Sequence, residues 1–260
     1  MLLRTGTCGR ILPCSFRKRT DDTRSRTATT GAKDIMDNPW INLPKASPYV
    51  LPEDRKLLDS FNYSDESRPH TEILPAPYMG RPESARVFLL SLNPGFKEWD
   101  VERERTDLDY DNEKRKSLTF QSRCPWFILD PSFSGTPGRK WWFSTLRIPI
   151  ETFGLDRIVN SVMCVQYFPY QSSAYKQQHI IPSQLYSFEL VKAAMKANKL
   201  IIQFRGDKYW ENEVLGLDTY ETKVIIRSQE TGQKLRKASI SGKNMSTKEW
   251  HALSNALTQE

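Results

Sequence analysis

Short, wholly apolar runs alternate along this chain with longer amphipathic ones. Residues 86–92 (Arg-Val-Phe-Leu-Leu-Ser-Leu) are β-rich and apolar on both faces, the pattern of a central parallel strand covered by helices on both sides. Similar runs at 157–166, 199–204 and 222–227 predict three further strands. Between them lie helical segments. Residues 97–116 are highly charged and read as a solvated helix or a lid, and residues 141–150 carry helix-spaced aromatics up to Pro149. Pro182 suits the first turn of a helix over 183–198, with Leu185, Phe188, Leu190, Val191 and Met195 along one face. Residues 206–215 read as helical, 238–245 as a polar loop, and Ser246 with Glu249 stands at the spacing of a capping box that opens a last helix to Leu257.

Strands alternating with helices at this spacing predict an α/β fold, a three-layer α/β/α sandwich around a mainly parallel four-stranded sheet. Three segments divide the chain. Residues 1–35, rich in Arg, Ser and Thr without apolar periodicity, read as a disordered basic leader, or as an over-extended start ahead of Met36. Residues 36–85, punctuated by seven prolines from Pro44 to Pro82 and one short helix over 53–61, form an arm that wraps the domain. Residues 86–260 are the α/β domain itself.

Composition changes this picture little. Of the net charge of +7, the first 35 residues supply +5, from eight Lys/Arg against three Asp, so the body carries only about +2. A nucleic-acid surface would therefore have to come from local clustering. No apolar run reaches the ~20 residues needed to span a bilayer, and Cys8, Cys14, Cys124 and Cys164 form no CxxC pair and have no histidine at zinc-ligand spacing. The expectation is a cytoplasmic monomer with no metal, no cofactor and no membrane partner.

In open α/β sheets ligands bind beyond the carboxyl ends of the strands, which draws attention to the loops after Leu92, Gln166, Phe204 and Arg227. At the first, Asn93-Pro94-Gly95-Phe96 offers a side-chain amide, a stiff exit and a backbone free to approach a ligand. At the second stands Tyr167-Phe168-Pro169-Tyr170-Gln171-Ser172-Ser173, with Pro169 forcing the chain out of the ladder. At the third, Arg205-Gly206 ends a buried strand on the same edge as Asn93. His70, His179 and His251 lie in the arm, a loop and the last helix, where surface or packing roles are the default, and the acidic residues between Asp100 and Glu113, interleaved with Arg and Lys, read as a solvated face.

An apolar strand followed by Asn93-Pro94-Gly95, the aromatic strand end Tyr167-Phe168-Pro169-Tyr170, and the late loop Ser239-Ile240-Ser241-Gly242-Lys243-Asn244 fall in the order of the motifs of the uracil-DNA glycosylase superfamily. Over roughly residues 80–257 the chain resembles its Asn-Pro-Gly branch, similar to the mismatch-specific uracil/thymine glycosylases. The resemblance implies that Asn93 holds the attacking water, that the backbone around Pro94, Gly95 and Phe96 helps bind the base, and that Phe168 or Tyr170 lines the pocket. It also implies a catalytic role for Ser241 in the second-motif loop and DNA contacts from Ser239, Gly242, Lys243 and Asn244, with Ser172 and Arg205 as further phosphate contacts. Many members carry His-Pro-Ser in that loop. This chain has neither the histidine nor the proline, so the departing base lacks that donor.

The implied partner is DNA and the implied reaction is hydrolysis of an N-glycosidic bond after base flipping, leaving an abasic site. The reaction passes through an oxocarbenium-like sugar, so positioning and stabilisation of the anionic leaving base matter more than a strong general base. Trp126, Trp141 and Trp142, in the long segment after the Asn turn, would enlarge a pocket for a bulkier base, which connects the reading to defence against phages with modified DNA. Two alternatives stand beside it: a non-catalytic nucleic-acid-binding module of the same fold, and a hydrolase of free nucleosides or nucleotides.

Overall fold

A strand that is apolar on both faces has to be paired on both edges and covered above and below. In the computed structural model, which describes residues 37–176, 179–226, 230–231, 234–235, 240 and 244–258, that strand is β2 (Val87–Ser91), every residue of it buried. It pairs in parallel with β3 (Val162–Gln166) on one side and with β4 (Leu200–Gln203) on the other, and β4 in turn pairs in parallel with β5 (Lys223–Ile225). The leader expected at residues 1–35 lies outside the described residues.

The sequence predicts four strands and this sheet has five, in the order β1-β3-β2-β4-β5. The additional strand, β1 (Tyr78–Met79), comes from the proline-rich arm and pairs antiparallel with β3 at the sheet edge. Two residues set between Pro77 and Gly80 carry no readable period. Gly80 has φ of 106°, and a Cβ there would lie 2.6 Å from the Val162 carbonyl oxygen, so glycine permits the approach of arm to sheet.

Two other expectations change. The apolar run at 157–166 is a helix followed by a strand: α6 (Leu155–Ser161) precedes β3, and Ile158 and Val159 are buried on a helix face rather than in a ladder. Nor does Pro149 end a helix. α4 (Pro137–Thr145) stops before it, and Pro149 occupies the third position of α5 (Arg147–Phe153), within the first turn, where no intrahelical partner for its missing N–H is required. The charged segment at 97–116 folds as two helices, α2 (Glu98–Thr106) and α3 (Leu108–Ser117).

Strand alternation sends side chains into two cores. Phe88, Leu90, Met163, Val165 and Ile201 join one, shared with α1 (Pro52–Ser60), α7 (Pro182–Lys196), Trp210 of α8 (Asp207–Glu213) and arm residues such as Trp40 and Leu74. Val87, Leu89, Val162, Cys164 and Ile202 join the other, shared with Trp142, Ile158 and, from α9 (Thr247–Thr258), Leu253 and Leu257. Helices thus cover both faces. On α7, Phe188, Leu190 and Val191 are buried as expected, while Leu185 is exposed and Tyr186 turns inward. The expected capping box is present: Glu249 N–H donates to Ser246 Oγ at 3.3 Å and Ser246 N–H to Glu249 Oε2 at 2.6 Å. Among the described residues no helix is long and apolar enough to cross a membrane.

α7 has no side-chain cap at Ile181, and its orphan Ser183 N–H is met from another helix: Asp54 of α1 accepts it at 2.9 Å and accepts the Tyr170 hydroxyl at 2.7 Å. Asp54 is fully buried, and burial pushes its carboxyl above the ordinary value despite those donors. Asp54→Ala is expected to lower stability by about 1–3 kcal/mol for each donor it strands, measured by urea denaturation. Because the folded carboxyl holds its proton more tightly than the unfolded one, its contribution is greatest below the ordinary Asp range and declines as pH rises through the raised folded value. Relative to Asp54→Asn, wild type should therefore lose stability across that window, and a parallel pH dependence of the two would contradict the assignment.

Candidate active site

The carboxyl ends of β2 and β3 are stitched together beyond the last ladder pair. Tyr167 and Phe168 donate their N–H groups to the carbonyls of Ser91 and Leu92 at 3.0 and 2.8 Å, and Ser172 N–H donates to Pro94 O at 3.2 Å, with a parallel bridge between Gly95 and Ser172. Asn93 lies inside this stitch. Its Nδ2 reaches Ser172 Oγ at 3.0 Å, Ser172 O at 3.2 Å and Pro94 O at 3.3 Å. Two of these are carbonyls, which only accept, so this end of the amide is the nitrogen and Oδ1 faces the other way. Among the described residues Oδ1 has no hydrogen-bond partner.

Asn93 borders a cavity of about 320 Å³ that also takes in Pro94, Gly95, Phe96, Ser172 and Arg205, a volume within the range of small-molecule sites. A Cβ on Gly95 would meet nothing within 4 Å, so the backbone here faces open space. Phe96 stacks on His70, whose Nδ1 is paired with Glu72 at 2.7 Å and whose N–H donates to Gln171 O. The arm histidine thus buttresses the rim. Arg205 is exposed, lies 5.5 Å from the Trp141 ring centroid, and has no carboxylate partner among the described residues. The glycine after it, Gly206, has φ of 71°, and a Cβ there would lie 2.8 Å from Leu92 Cδ1.

Three expectations are corrected. Phe168 and Tyr170 do not line this cavity. Both are buried in the core shared with α7, Phe168 against Tyr175 and Tyr170 against Trp40, which packs from the arm. Ser172, expected at a phosphate, is instead 1% exposed: its Oγ donates to Ala174 O at 2.8 Å and receives the Asn93 amide, so in this structure it positions Asn93. The acidic stretch of α2 and α3 is not simply a solvated face, since Glu104, Glu113 and Lys114 are all buried.

Of the second-motif loop, Ser239, Ser241, Gly242 and Lys243 lie outside the described residues. Ile240 is buried and its N–H donates to Thr145 O at 3.1 Å, at the end of α4, while Asn244 is half-buried and does not border the cavity. Of the three tryptophans, Trp141 and Trp142 border it and Trp126 stands behind Trp142, edge to face.

The cavity also recruits residues that the sequence reading passed over. Gln166, the last residue of β3, is 3% exposed. Its Oε1 has no partner among the described residues, and its Nε2 has a contact to the Cys164 sulfur at 3.9 Å. A buried amide so weakly engaged is costly unless an occupant completes it. Its signal was present: a polar amide closing an otherwise apolar strand, Val-Met-Cys-Val-Gln. Gln171 borders the cavity with its Nε2 held by Leu74 O at 3.0 Å. Asp100 and Lys114 reach it from α2 and α3. Burial pushes the Asp100 carboxyl up, opposed by the Lys114 charge and by the Lys97 N–H donated at 2.9 Å. Among the described residues no group of three or more His, Cys, Asp or Glu is placed to hold a metal ion.

No protein-family profile matches the chain, and no curated protein and no solved structure matches it either. The site therefore stands on its own geometry.

The reassignment of the aromatics is testable by stability. Phe168→Ala should cost about 3–5 kcal/mol as a core truncation, whereas Phe96→Ala at the rim should cost under about 1 kcal/mol. Equal, small losses in chemical denaturation would return Phe168 to the cavity wall.

Proposed function

We propose that this chain is a monofunctional DNA glycosylase, a divergent member of the uracil-DNA glycosylase superfamily with its three-layer α/β/α architecture, which hydrolyses the N-glycosidic bond of uracil or another altered base. The observation that carries the reading is the fixed Asn93 amide beside a cavity at the strand ends. With Nδ2 committed to Ser172 and Pro94, Oδ1 is held as a preorganised acceptor, the requirement for aligning a water with a sugar carbon. Gln166 supports the base-binding half. A carboxamide presents one donor and one acceptor side by side, the complement of the hydrogen-bonding edge of a flipped base.

The aromatic faces of Phe96, Tyr110 and Trp141 around the same cavity suit a planar heterocycle. Arg205 and Lys97, both exposed at its border, suit the flanking phosphates. The wall made by Trp141 and Trp142 belongs to the segment inserted after the Asn turn, which makes the size of the accepted base a property of that insertion. Bulky modified bases of phage DNA are substrates to include for that reason.

The test is alkali-induced strand cleavage of labelled DNA carrying uracil, mismatched thymine, or hydroxymethylated or glucosylated cytosine. Wild type is expected to generate abasic sites on at least one of these, and Asn93→Ala to do so about a hundredfold more slowly or worse. DNA binding without product on any substrate would instead assign a binding module of the same fold. Neither binding nor product would turn the reading to free nucleosides or nucleotides.

A further inference from the structure

Lys114 is the feature that the reading above does not use. Its side chain is 4% exposed, it borders the cavity, and its ammonium bonds Glu104 Oε1, itself 6% exposed. Glu104 is fixed in turn, because Oε2 accepts the Leu74 N–H at 2.8 Å. An ammonium carries three donors, and among the described residues Glu104 is its hydrogen-bond partner, which leaves donors for whatever occupies the cavity. Burying a charged pair is costly, and aliphatic residues would join α3 to the arm at less expense. The unsatisfied Gln166 amide on the same cavity is an independent sign that an occupant with polar edges completes it.

We propose that Lys114 is a catalytic cation that receives the negative charge of the departing base, with Glu104 as its positioning residue; this rests on the glycosylase reading. The C1′–N bond breaks with its electron pair going to the base, which leaves as an anion with charge shared between the ring nitrogen and the exocyclic carbonyl oxygens. The ammonium, held in a site screened from water, stabilises that charge. The water aligned by Asn93 forms the new C1′–O bond and passes its proton to solvent, and the base anion takes a proton from solvent on release. The ligand class is thus an anionic oxo-heterocycle, and the donor comes from α3 rather than from the second-motif loop.

Lys114→Met alone strands the Glu104 carboxylate and risks unfolding, so the test uses Lys114→Met with Glu104→Gln, together with Lys114→Arg, each checked by its melting curve. The first arm is calorimetric binding of 5-nitrouracil, which is largely ionised at neutral pH, against thymine, which is neutral. Wild type and Lys114→Arg are expected to prefer the anion, and the double variant to bind it at least about tenfold more weakly with thymine binding unchanged. Equal anion binding by wild type and the double variant, or none by either, overturns the cation site. The second arm compares release of uracil and 5-fluorouracil from DNA. The double variant is expected to lose about a hundredfold with uracil and clearly less with 5-fluorouracil, the better leaving group. Equal losses would leave Lys114 a merely structural role and overturn the catalytic assignment. Anion binding by a wild type that releases no base from any DNA would keep the cation site and discard the glycosylase reading.

Discussion

The Asn93 amide acts as a splice between two strand-end loops, and the geometry of the site depends on it. Past their last ladder pair, β2 and β3 stay joined by backbone bonds at Tyr167, Phe168 and Ser172, and the Asn93 side chain closes the gap between them. Nδ2 of Asn93 meets Ser172 and Pro94, and Ser172 N–H returns to Pro94 O. Two turns thereby become one rigid ledge. The same contacts engage the side-chain amide nitrogen of Asn93, so the group left to the cavity is the Oδ1 acceptor. The bonds that fix the Asn93 side chain on this ledge also decide which of its atoms is left to the cavity.

Above that ledge the cavity is made of different material. Its floor is the paired ends of β2 and β3, Ser91 and Gln166, with the turn at Asn93, Pro94 and Gly95. Its roof is α2, α3 and α4, which bring Asp100, Tyr110, Lys114, Trp141 and Trp142. The roof is held by polar contacts as well as by packing. Glu113, for example, accepts Ser122 Oγ at 2.9 Å and the Arg123 N–H at 2.8 Å. Burial pushes its carboxyl up, but these bonds and the Lys116 charge outweigh it and hold the group below its ordinary value.

How much of this was legible in the sequence follows from the range of the forces involved. β2, the exit at Asn93 and the capping box at Ser246 are encoded within a few residues each, by apolar runs and by side chains that bond their own backbone. β1 was not, because two residues between Pro77 and Gly80 become a strand only through the edge of β3. α6 was misread because Ile158, Val159 and Val162 are apolar under either period. Phe168 and Tyr170 were placed at the site by the family resemblance, whereas Tyr170 is held in the core by Trp40 and Asp54, more than a hundred residues upstream, and Phe168 packs on Tyr170 and Tyr175. Lys114 was hidden in a charge run whose one buried cationic face is set by Glu104 and the arm.

Gly206 couples two of these exits. Its left-handed turn brings it against Leu92, in the space a side chain would need, so the β4 exit that carries Arg205 and the β2 exit that carries Asn93 share one steric joint. Backbone ties the same two exits: the Phe204 and Arg205 N–H groups both donate to Leu90 O, at 2.9 and 3.1 Å, so the arginine's reach is measured from the asparagine's own strand. The spacing between the point where chemistry would occur and the point where an anion would be gripped is thus set by the pairing of β2 with β4 rather than by the helices above them.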